Sequence, residues 1–504
     1  MMTDTVHVKK FNESFLKVWS DEAGILYELN DYFSFMVDGY KFQPKFKAGI
    51  WDGRISLYNL SKKTLYCGLF SELQEFCQTR GYSIEIENSP AYGLPNEEAN
   101  VSLDDAKEFV DSLNLHSRGE KLEIRDYQYS AVQIALNHKR QIILSPTGSG
   151  KSAIIYSITR YLVDDEFRVL IVVPNTTLIH QMKNDFKDYS SENGFDVESN
   201  THIIMAGKDK KTDKMICIST WQSLMHQEPS WFNQYNAVLI DEAHQARAME
   251  LSKLMEKCTD LAYRFGFTGS LDNSKTNKMV IKGLFGPITK VTTTRKLMDD
   301  GQLSDLRIKS IVLDYSKETK SLVKKFDYQK EIDFLCQHDR RNKFIRNLAL
   351  SLEGNTLILY NYIEKHGDLI HDLLKEKVGD RKLYYIHGEV EAEDRDAVRA
   401  IVENSNNAII LASVGTFSTG VNIRKLHNII FASPTKSVIR VLQSIGRGLR
   451  LSDGKEYCTL YDIMDKLSNS KTRSNYTYNH GIERLKIFTK EQFPYKIVDV
   501  KIEE

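Results

Sequence analysis

Short apolar runs alternate with polar loops and amphipathic stretches from residue 123 to about residue 300. This alternation is typical of parallel β–α–β units, in which buried strands and covering helices follow one another. It predicts strands at residues 141–145, 168–174, 215–220, 237–241 and 264–269. After a turn-rich stretch at residues 298–305, the same pattern predicts strands at 355–360, 382–388, 407–413 and 427–433. Two α/β domains in tandem, joined by a linker, are the simplest arrangement.

Composition narrows the class of protein. A chain of 504 residues is too long for one hydrophobic core, and 41% hydrophobic with 27% charged residues is ordinary for a globular protein. The 68 basic and 68 acidic residues cancel, so any nucleic-acid surface must be local. The 6 cysteines form no C-x-x-C pair, which argues against a zinc ribbon, an iron–sulfur cluster or a disulfide framework. Because no apolar run is long enough to span a bilayer, we expect a cytoplasmic protein with no membrane partner.

A loop suited to holding phosphate follows the first predicted strand. SPTGSGKS, residues 145–152, lies between that strand and a helical pattern, which is the context of a phosphate-binding loop. Glycines allow backbone N–H groups to close around phosphate oxygens, a lysine reaches the β and γ phosphates, and a serine ligates Mg²⁺. The predicted contacts are Thr147, Gly148, Ser149, Gly150, Lys151 and Ser152. The alternative is a chance turn.

Two carboxylates end a hydrophobic strand in NAVLIDEAHQ, residues 236–245. Placing two acids at the end of a buried strand is costly unless a cation or a reaction needs them. Asp241 is predicted to hold Mg²⁺, and Glu242 to orient and deprotonate an attacking water. Taken alone, the tetrapeptide is also compatible with a solvated strand end.

Further motifs occur in the first α/β domain: EIRDYQ (123–128), VVPNTTLIHQ (172–181), ISTWQSL (218–224) and FTGSL (267–271). With them, the chain resembles the superfamily 2 helicases and translocases over about residues 122–465. The resemblance implies adenine contacts from Tyr127 and Gln128. It implies coupling between the nucleotide and nucleic-acid sites through His244, Thr268 and Ser270. It also implies contacts with a nucleic-acid backbone from Pro174, Asn175, Thr176, Thr220 and Gln222.

The second α/β domain carries matching motifs at residues 357–370, 384–390, 412–423 and 443–450. The resemblance implies strand contacts from Asn361, His387, Gly388 and Thr416, and ribose contacts from Gly420 and Asn422. In the last motif, QSIGRGLR, it implies that Gln443, Arg447 and Arg450 act on the triphosphate held by the first domain. An arginine aimed at the γ-phosphate stabilises transition-state charge. Without the other motifs, this octapeptide would indicate only two solvated helix arginines.

The EIRDYQ start, the compact linker and the small N-terminal domain resemble the XPB and type III restriction-translocase branch. This resemblance implies an ATP-dependent helicase that unwinds or branch-migrates forks, Holliday junctions, D-loops and R-loops, with ATP and Mg²⁺ as cofactors. Branched DNA is the implied partner, and RNA–DNA hybrids, a single-strand-binding protein and other recombination proteins are further candidates. An ATP-switched binding or annealing protein stays open as the alternative. A nuclease-coupled translocase is disfavoured because no P-D and E-x-K or H-N-H constellation is evident.

Residues 40–58 interleave cations with aromatic rings: Lys41, Lys45, Lys47 and Arg54 with Phe42, Phe46 and Trp51. Cations for phosphates and rings for bases are typical of a nucleic-acid platform. Alternatively, the rings form the core of a small domain and the lysines are solvated. The net basic residues 471–488 leave a similar choice between a strand-contacting helix and one that packs on the second domain.

We therefore predict an α/β fold with two tandem RecA-like parallel-sheet domains, a small N-terminal α/β domain and a short C-terminal helical extension. The predicted boundaries are 1–105 for the N-terminal domain, 106–300 and 301–465 for the RecA-like domains, and 466–504 for the extension.

Overall fold

The computed structural model describes residues 4–205, 209–244, 248–271, 274–387, 401–402, 404–418, 423, 425–433, 445–446, 448–449, 451, 455–468 and 474–502. The chain divides into two compact units, one of Met1–Ser145 with Gly150–Val291 and one of Pro146–Ser149 with Thr292–Glu504. None of the helices in these described ranges has the length and apolar character needed to cross a membrane.

A mixed sheet opens the first unit. Its strands are β1 (Thr5–Lys10), β2 (Phe15–Trp19), β5 (Tyr58–Asn59), β6 (Thr64–Tyr66) and β7 (Ser83–Glu87), and a hairpin of β3 (Ser34–Met36) and β4 (Arg54–Ser56) lies beside it. The helices are α1 (Ala23–Tyr32), α2 (Pro44–Lys47) and α3 (Phe70–Arg80). The strand order is β5-β6-β2-β1-β7. Every second side chain of β1 is buried, which is the alternation expected of a sheet with one covered face.

A parallel sheet of seven strands completes the first unit: β10 (Arg140–Leu144), β11 (Val169–Val173), β12 (Thr201–Ile204), β13 (Ile216–Thr220), β14 (Ala237–Ile240), β15 (Tyr263–Thr268) and β16 (Ile288–Lys290), in the order β12-β13-β11-β14-β15-β10-β16. Before it come α4 (Leu103–Ser112), the hairpin of β8 (His116–Ser117) and β9 (Glu120–Lys121), and α5 (Asp126–His138). The connecting helices are α6 (Lys151–Asp164), α7 (Thr176–Tyr189), α8 (Val197–Asn200), α9 (Trp221–Leu224), α10 (Pro229–Phe232), α11 (Ala248–Lys257) and α12 (Lys275–Phe285). The predicted strands of this domain are confirmed.

The second unit contains another parallel sheet of seven strands: β17 (Asp305–Asp314), β18 (Thr356–Tyr360), β19 (Leu383–Ile386), β20 (Ile409–Ser413), β21 (Asn428–Phe431), β22 (Tyr457–Lys466) and β23 (Tyr495–Lys501), in the order β19-β20-β18-β21-β22-β17-β23. Its described helices are α13 (Thr294–Asp299), α14 (Lys317–Val323), α15 (Tyr328–Gln337), α16 (Asp339–Ser351), α17 (Asp368–Lys375), α18 (Val414–Ser418) and α19 (Tyr476–Lys490), with a π-helical turn at Ile363–Gly367. Two tandem parallel-sheet domains are thus confirmed.

The C-terminal residues are integrated into the second sheet. Arg484 of α19 is fully buried, and its Nε lies 2.6 Å from the Asp462 Oδ1 of β22. This contact agrees with the packing interpretation of residues 471–488 over their described part. After the helix, β23 pairs in parallel with β17, so the extension also supplies an edge strand that the helical pattern did not predict.

The N-terminal sheet and the first parallel sheet share one hydrophobic core, which runs from Val8 and Leu73 to Leu170 and Phe285. A buried ion pair joins the same two parts, because the Glu13 carboxylate accepts from the Arg140 guanidinium at the start of β10. Breaking a buried pair by removing one partner is strongly destabilising. The N-terminal residues are therefore a structural part of the first unit.

Candidate active site

The phosphate loop connects β10 to α6 and is held by hydrogen bonds within the loop and to the end of β15. Ser149 donates to the Pro146 carbonyl from both its Oγ (2.6 Å) and its backbone nitrogen (3.2 Å). The backbone nitrogen of Ser145 donates to the Thr268 carbonyl at 2.9 Å. Gly148 and Gly150 have φ angles of 86° and 76°, which glycine adopts without the steric cost that a side chain brings. The sequence thus produces a tight loop that ends at the N-terminus of a helix.

Lys151 and the two acids after β14 form one charged cluster in the first unit. The Lys151 Nζ lies 2.7 Å from the Glu242 Oε1 and 3.5 Å from the Asp241 Oδ1. The three side chains are only 14%, 19% and 11% exposed, respectively. Residues predicted from separate motifs, 91 positions apart for Lys151 and Glu242, are therefore brought together.

Burial and neighbouring charges both shift the pKa values of this cluster. Desolvation raises the pKa of Asp241, and the neighbouring Glu242 carboxylate adds to that effect while Lys151 opposes it. Desolvation works against the charge of Lys151, but the two carboxylates hold its pKa above the ordinary value. Glu242 itself adopts a φ angle of 50°, a strained region for a residue other than glycine. Strained backbone is often found at functional sites.

The donor set suits a magnesium ion. Two carboxylates against one ammonium leave a net negative charge in a buried site, which a divalent cation compensates. Mg²⁺ prefers a few oxygen ligands together with waters and substrate phosphates, and the hydroxyl of Ser152 and the carboxylate of Asp241 are of that type. The described residues contain no group of three or more His, Cys, Asp or Glu placed to hold a metal ion.

The two residues predicted to contact adenine lie at the start of α5. Gln128 is buried, and its Nε2 donates to the Gly150 carbonyl at a distance of 3.4 Å. Its Oε1 accepts from the backbone nitrogen of Arg125 at 2.9 Å. The Tyr127 hydroxyl accepts from Arg125 Nη1 at 2.8 Å. The motif is thus fixed against the end of the phosphate loop.

A chain of polar contacts leads from Glu242 to β15. The His244 Nδ1 lies 3.3 Å from the Glu242 Oε2 and 2.5 Å from the Thr268 Oγ1. Thr268 Oγ1 in turn donates to the Ser270 carbonyl at 2.8 Å. The three residues predicted to couple the sites therefore contact one another, although Ser270 takes part through its backbone.

The predicted strand contacts of the first unit divide into two kinds. The Asn175 side chain accepts from the Leu178 backbone nitrogen and caps α7, and Thr220 caps α9 in the same way. Such caps fix the first turns of α7 and α9, directly after β11 and β13. Thr176 and Gln222, which follow these caps, are exposed, whereas Pro174 is buried.

In the second unit, Asn361, His387 and Thr416 follow β18, β19 and β20. The backbone nitrogen of Asn361 donates to the Ser433 Oγ at 3.1 Å, and the ring of His387 packs on Tyr385 with centroids 4.9 Å apart. Thr416 is buried, and its Oγ1 accepts from the Ser413 hydroxyl at 2.7 Å. Some predicted residues lie outside the described ranges: Gly388, Gly420, Asn422, Gln443, Arg447 and Arg450.

Residues 40–54 lie between β3 and the start of β4 and carry cations and aromatic rings. Lys41, Lys45 and Arg54 are exposed, and Arg54 pairs with Asp31 at 2.9 Å. Trp51 is half-buried, with its Nε1 donating to the Arg54 carbonyl at 2.6 Å. Phe42 is 81% exposed, so it is not part of the core of the domain. The core interpretation of these rings is wrong for Phe42.

The sequence motifs did not identify two side-chain contacts, one beside the phosphate loop and one in the second unit. Tyr189, at the end of α7, contacts the Ser152 hydroxyl. In the second unit, the fully buried Arg341 binds Asp465 and the Ala432 carbonyl, both at 2.7 Å, and so joins the ends of β22 and β21. Both contacts connect residues far apart in the chain, and no local pattern marks them.

Comparisons with known proteins define the class. Three family models match: "Type III restriction enzyme, res subunit" over residues 121–273, "DNA helicase UvsW, N-terminal" over 5–87 and "Helicase conserved C-terminal domain" over 339–452. Together with the two parallel sheets and the motif order, they place the chain among the superfamily 2 helicases with two RecA-like domains, which are ATP-dependent enzymes.

The family follows from individual relatives. The chain is 36% identical over 498 residues to the ATP-dependent DNA helicase UvsW of Enterobacteria phage T4, covering 95% of this chain and 97% of the relative. The crystal structure of T4 UvsW aligns with a TM-score of 0.52 at 33% identity, covering 99% of this chain and 100% of that one. The DNA 3'-5' translocase XPB2 of Sulfurisphaera tokodaii is 24% identical over 379 residues, covering 68% of this chain and 82% of that relative. The chain belongs to the UvsW family of helicases.

Proposed function

We propose that the protein is a DNA helicase that uses ATP and Mg²⁺ to unwind or branch-migrate forks, Holliday junctions, D-loops and R-loops in recombination, repair and replication restart. The observation that carries the proposal is the Lys151 ammonium paired with the Glu242 and Asp241 carboxylates. Lys151 binds the phosphates, Ser152 and Asp241 hold the cation, and Glu242 activates water. For Arg447, Arg450 and Gln443 we propose, from the motif QSIGRGLR alone, a role in acting on the triphosphate.

Nucleotide binding must rearrange this cluster. Lys151 carries one positive charge, and a γ-phosphate competes for it with the Glu242 carboxylate at 2.7 Å, so ATP binding weakens this pair. The cation supplies Lewis-acid chemistry when it is bound. Once Lys151 contacts the phosphate, Glu242 is available to orient water. The change at Glu242 reaches Thr268 through His244, which contacts both residues.

Measuring ATP turnover with different nucleic acids tests this function. Turnover is expected to rise most with forked DNA and Holliday junctions, and less with single strands, duplex or RNA–DNA hybrids. The second candidate, a protein that binds or anneals strands while ATP only switches its conformation, predicts turnover that no nucleic acid raises. Equal, low turnover with every substrate would therefore reject the helicase.

The remaining assignments extend this proposal. We propose that the chain has four domains, with boundaries at residues 105, 300 and 465. We propose that it acts in the cytoplasm of the host cell if it is phage-encoded. A single-strand-binding protein is a proposed partner. A cut at residue 105 would leave the buried Arg140 without Glu13. Substitutions are for that reason a sharper test of the N-terminal domain than deletion.

We propose that residues 40–54 form a platform for DNA. The exposed Lys41, Lys45 and Lys47 meet phosphates, and the 81% exposed Phe42 offers a ring for a base. Trp51 supports the segment through its bond to the Arg54 carbonyl.

Neutralising two platform lysines is expected to weaken fork binding and flatten its salt dependence. Each phosphate contact contributes about 0.9 to the slope of log K against log salt, so Lys45→Gln with Lys47→Gln should lower that slope by roughly two. A fork-binding titration at several salt concentrations measures it. Lys62→Gln with Lys317→Gln, which removes two other exposed lysines, is the matched control. An unchanged slope in the folded platform variant would reject the platform.

Thr268→Ala is expected to separate ATP hydrolysis from strand separation. The change removes the hydroxyl that joins His244 to the Ser270 carbonyl but no phosphate ligand. DNA-stimulated ATPase activity should persist while strand unwinding falls. Thr268→Ser keeps the hydroxyl, so this variant should unwind DNA as the wild type does. Ser270→Ala should have the smaller effect, because Ser270 contributes its backbone to this chain. A parallel fall of both activities in Thr268→Ala would place Thr268 in the ATP site instead.

A further inference from the structure

A tyrosine far along the chain contacts the serine that ends the phosphate loop. The Ser152 Oγ lies 2.7 Å from the Tyr189 hydroxyl. Ser152 is in the first turn of α6, whereas Tyr189 is the last residue of α7. Tyr189 is only 8% exposed, so the pair of hydroxyls is shielded from most of the solvent.

Packing between α6 and α7 fixes the position of the Tyr189 hydroxyl. The Tyr189 ring packs on Tyr156 of α6 with centroids 5.6 Å apart. The Tyr156 hydroxyl lies 2.7 Å from the Ser190 Oγ, which also donates to the Phe186 carbonyl at 2.6 Å. Two tyrosine hydroxyls therefore join the end of α7 to α6, and one of them is on Ser152.

We propose that Tyr189 is a positioning residue for the metal-ligating hydroxyl of Ser152, and that it links this hydroxyl to α7. The inference rests on the proposed function, because Ser152 ligates a cation only if the loop binds a nucleotide. A serine hydroxyl has one proton and two lone pairs, and ligation needs one lone pair directed at the cation. The hydrogen bond to Tyr189 fixes the rotation of this hydroxyl, as groups behind metal ligands do elsewhere.

The other end of α7 gives this contact a further consequence. The helix begins at Thr176 after its cap Asn175, the residues proposed to face a DNA strand. Its 14 residues form a rigid element of about 20 Å at roughly 1.5 Å per residue. A shift of α7 on strand binding thus reaches the cation ligand through the Tyr189 hydroxyl.

The dependence of nucleotide affinity on Mg²⁺ tests the inference. A fluorescent ADP analogue is titrated into the full chain in EDTA and at increasing Mg²⁺. Tyr189→Phe keeps the ring but removes the hydroxyl. In this variant, the Mg²⁺ concentration that gives half of the total increase in ADP affinity is expected to rise roughly tenfold. Affinity in EDTA should not change, because Lys151 and the loop remain. Tyr161→Phe, which removes a hydroxyl near the other end of α6, where the ring packs on Phe109, should keep the wild-type Mg²⁺ dependence.

A double substitution identifies the partner. With Ser152→Ala present, adding Tyr189→Phe should cause no further loss. The inference is overturned by a wild-type Mg²⁺ dependence in Tyr189→Phe, by equal losses with and without Mg²⁺, or by losses that add to those of Ser152→Ala. Lys151→Ala should weaken ADP binding under all of these outcomes. Unchanged binding in Lys151→Ala would instead reject the ATP site itself.

Discussion

Glu242→Gln is expected to lower ATP turnover by roughly a thousandfold while ATP binding persists. The amide is the same size as the carboxylate but cannot accept a proton from water, and general-base catalysis contributes about 10²–10⁴-fold. In the structure the Glu242 Oε1 holds the Lys151 Nζ at 2.7 Å. Removing that charge frees the lysine for phosphate, so the variant should bind ATP at least as tightly as the wild type. Single-turnover hydrolysis and equilibrium ATP binding measure the two effects.

Two companions to Glu242→Gln make the result specific. Lys151→Ala should lose both binding and turnover, because it removes the phosphate ligand itself. Glu250→Gln changes a first-turn glutamate of α11, and should leave both intact. If ATP turnover of Glu242→Gln stays within tenfold of the wild type, a residue other than Glu242 is the general base.

Arg450→Ala is expected to reduce turnover by about a thousandfold or more, with ATP binding largely kept. An arginine directed at the γ-phosphate stabilises charge that develops in the transition state, and such arginines contribute about 10³–10⁵-fold. This expectation comes from the motif QSIGRGLR, since Arg450 lies outside the described residues. Steady-state ATPase at saturating DNA measures it.

Further arginine variants show whether the effect is that of a finger. Arg450→Lys keeps the charge but not the planar fork, so it should remain strongly defective. Arg447→Ala is measured beside it, because the three-residue spacing does not rank the two arginines. Arg340→Ala, an exposed arginine of α16, is the matched control. Near-normal turnover in both Arg447→Ala and Arg450→Ala would remove the finger assignment.

The two parallel sheets were predictable because their central strands are buried on both faces. Runs such as 169–173 and 409–413 are continuously apolar, and all their residues are buried. The N-terminal strands and β23 lack such runs. β1 alternates buried and half-buried residues, and β23 is mostly exposed along an edge. Apolar runs therefore located both parallel sheets but missed these strands, together with β12, β16, β17 and β22.

The charged residues of the site were predictable because they lie in short sequence motifs. The residues that surround them were not predictable. Lys151, Asp241 and Glu242 come from two local patterns, and parallel strands bring their carboxyl ends to one edge of the sheet. Tyr189 meets Ser152 across 37 positions through the packing of two helices. Burial also differs from expectation at Thr416, whose hydroxyl is bonded to Ser413. Contacts of this kind depend on tertiary packing, which periodicity does not encode.

Time-resolved strand separation of a forked duplex tests the central claim most directly. ATP hydrolysis at Lys151, Asp241 and Glu242 is predicted to drive the separation. The wild-type chain should therefore separate the fork with ATP but not with a non-hydrolysable analogue, and Glu242→Gln should bind the fork without separating it. Separation or annealing at the wild-type rate by Glu242→Gln with ATP would contradict the motor, and would show that nucleotide binding alone is sufficient.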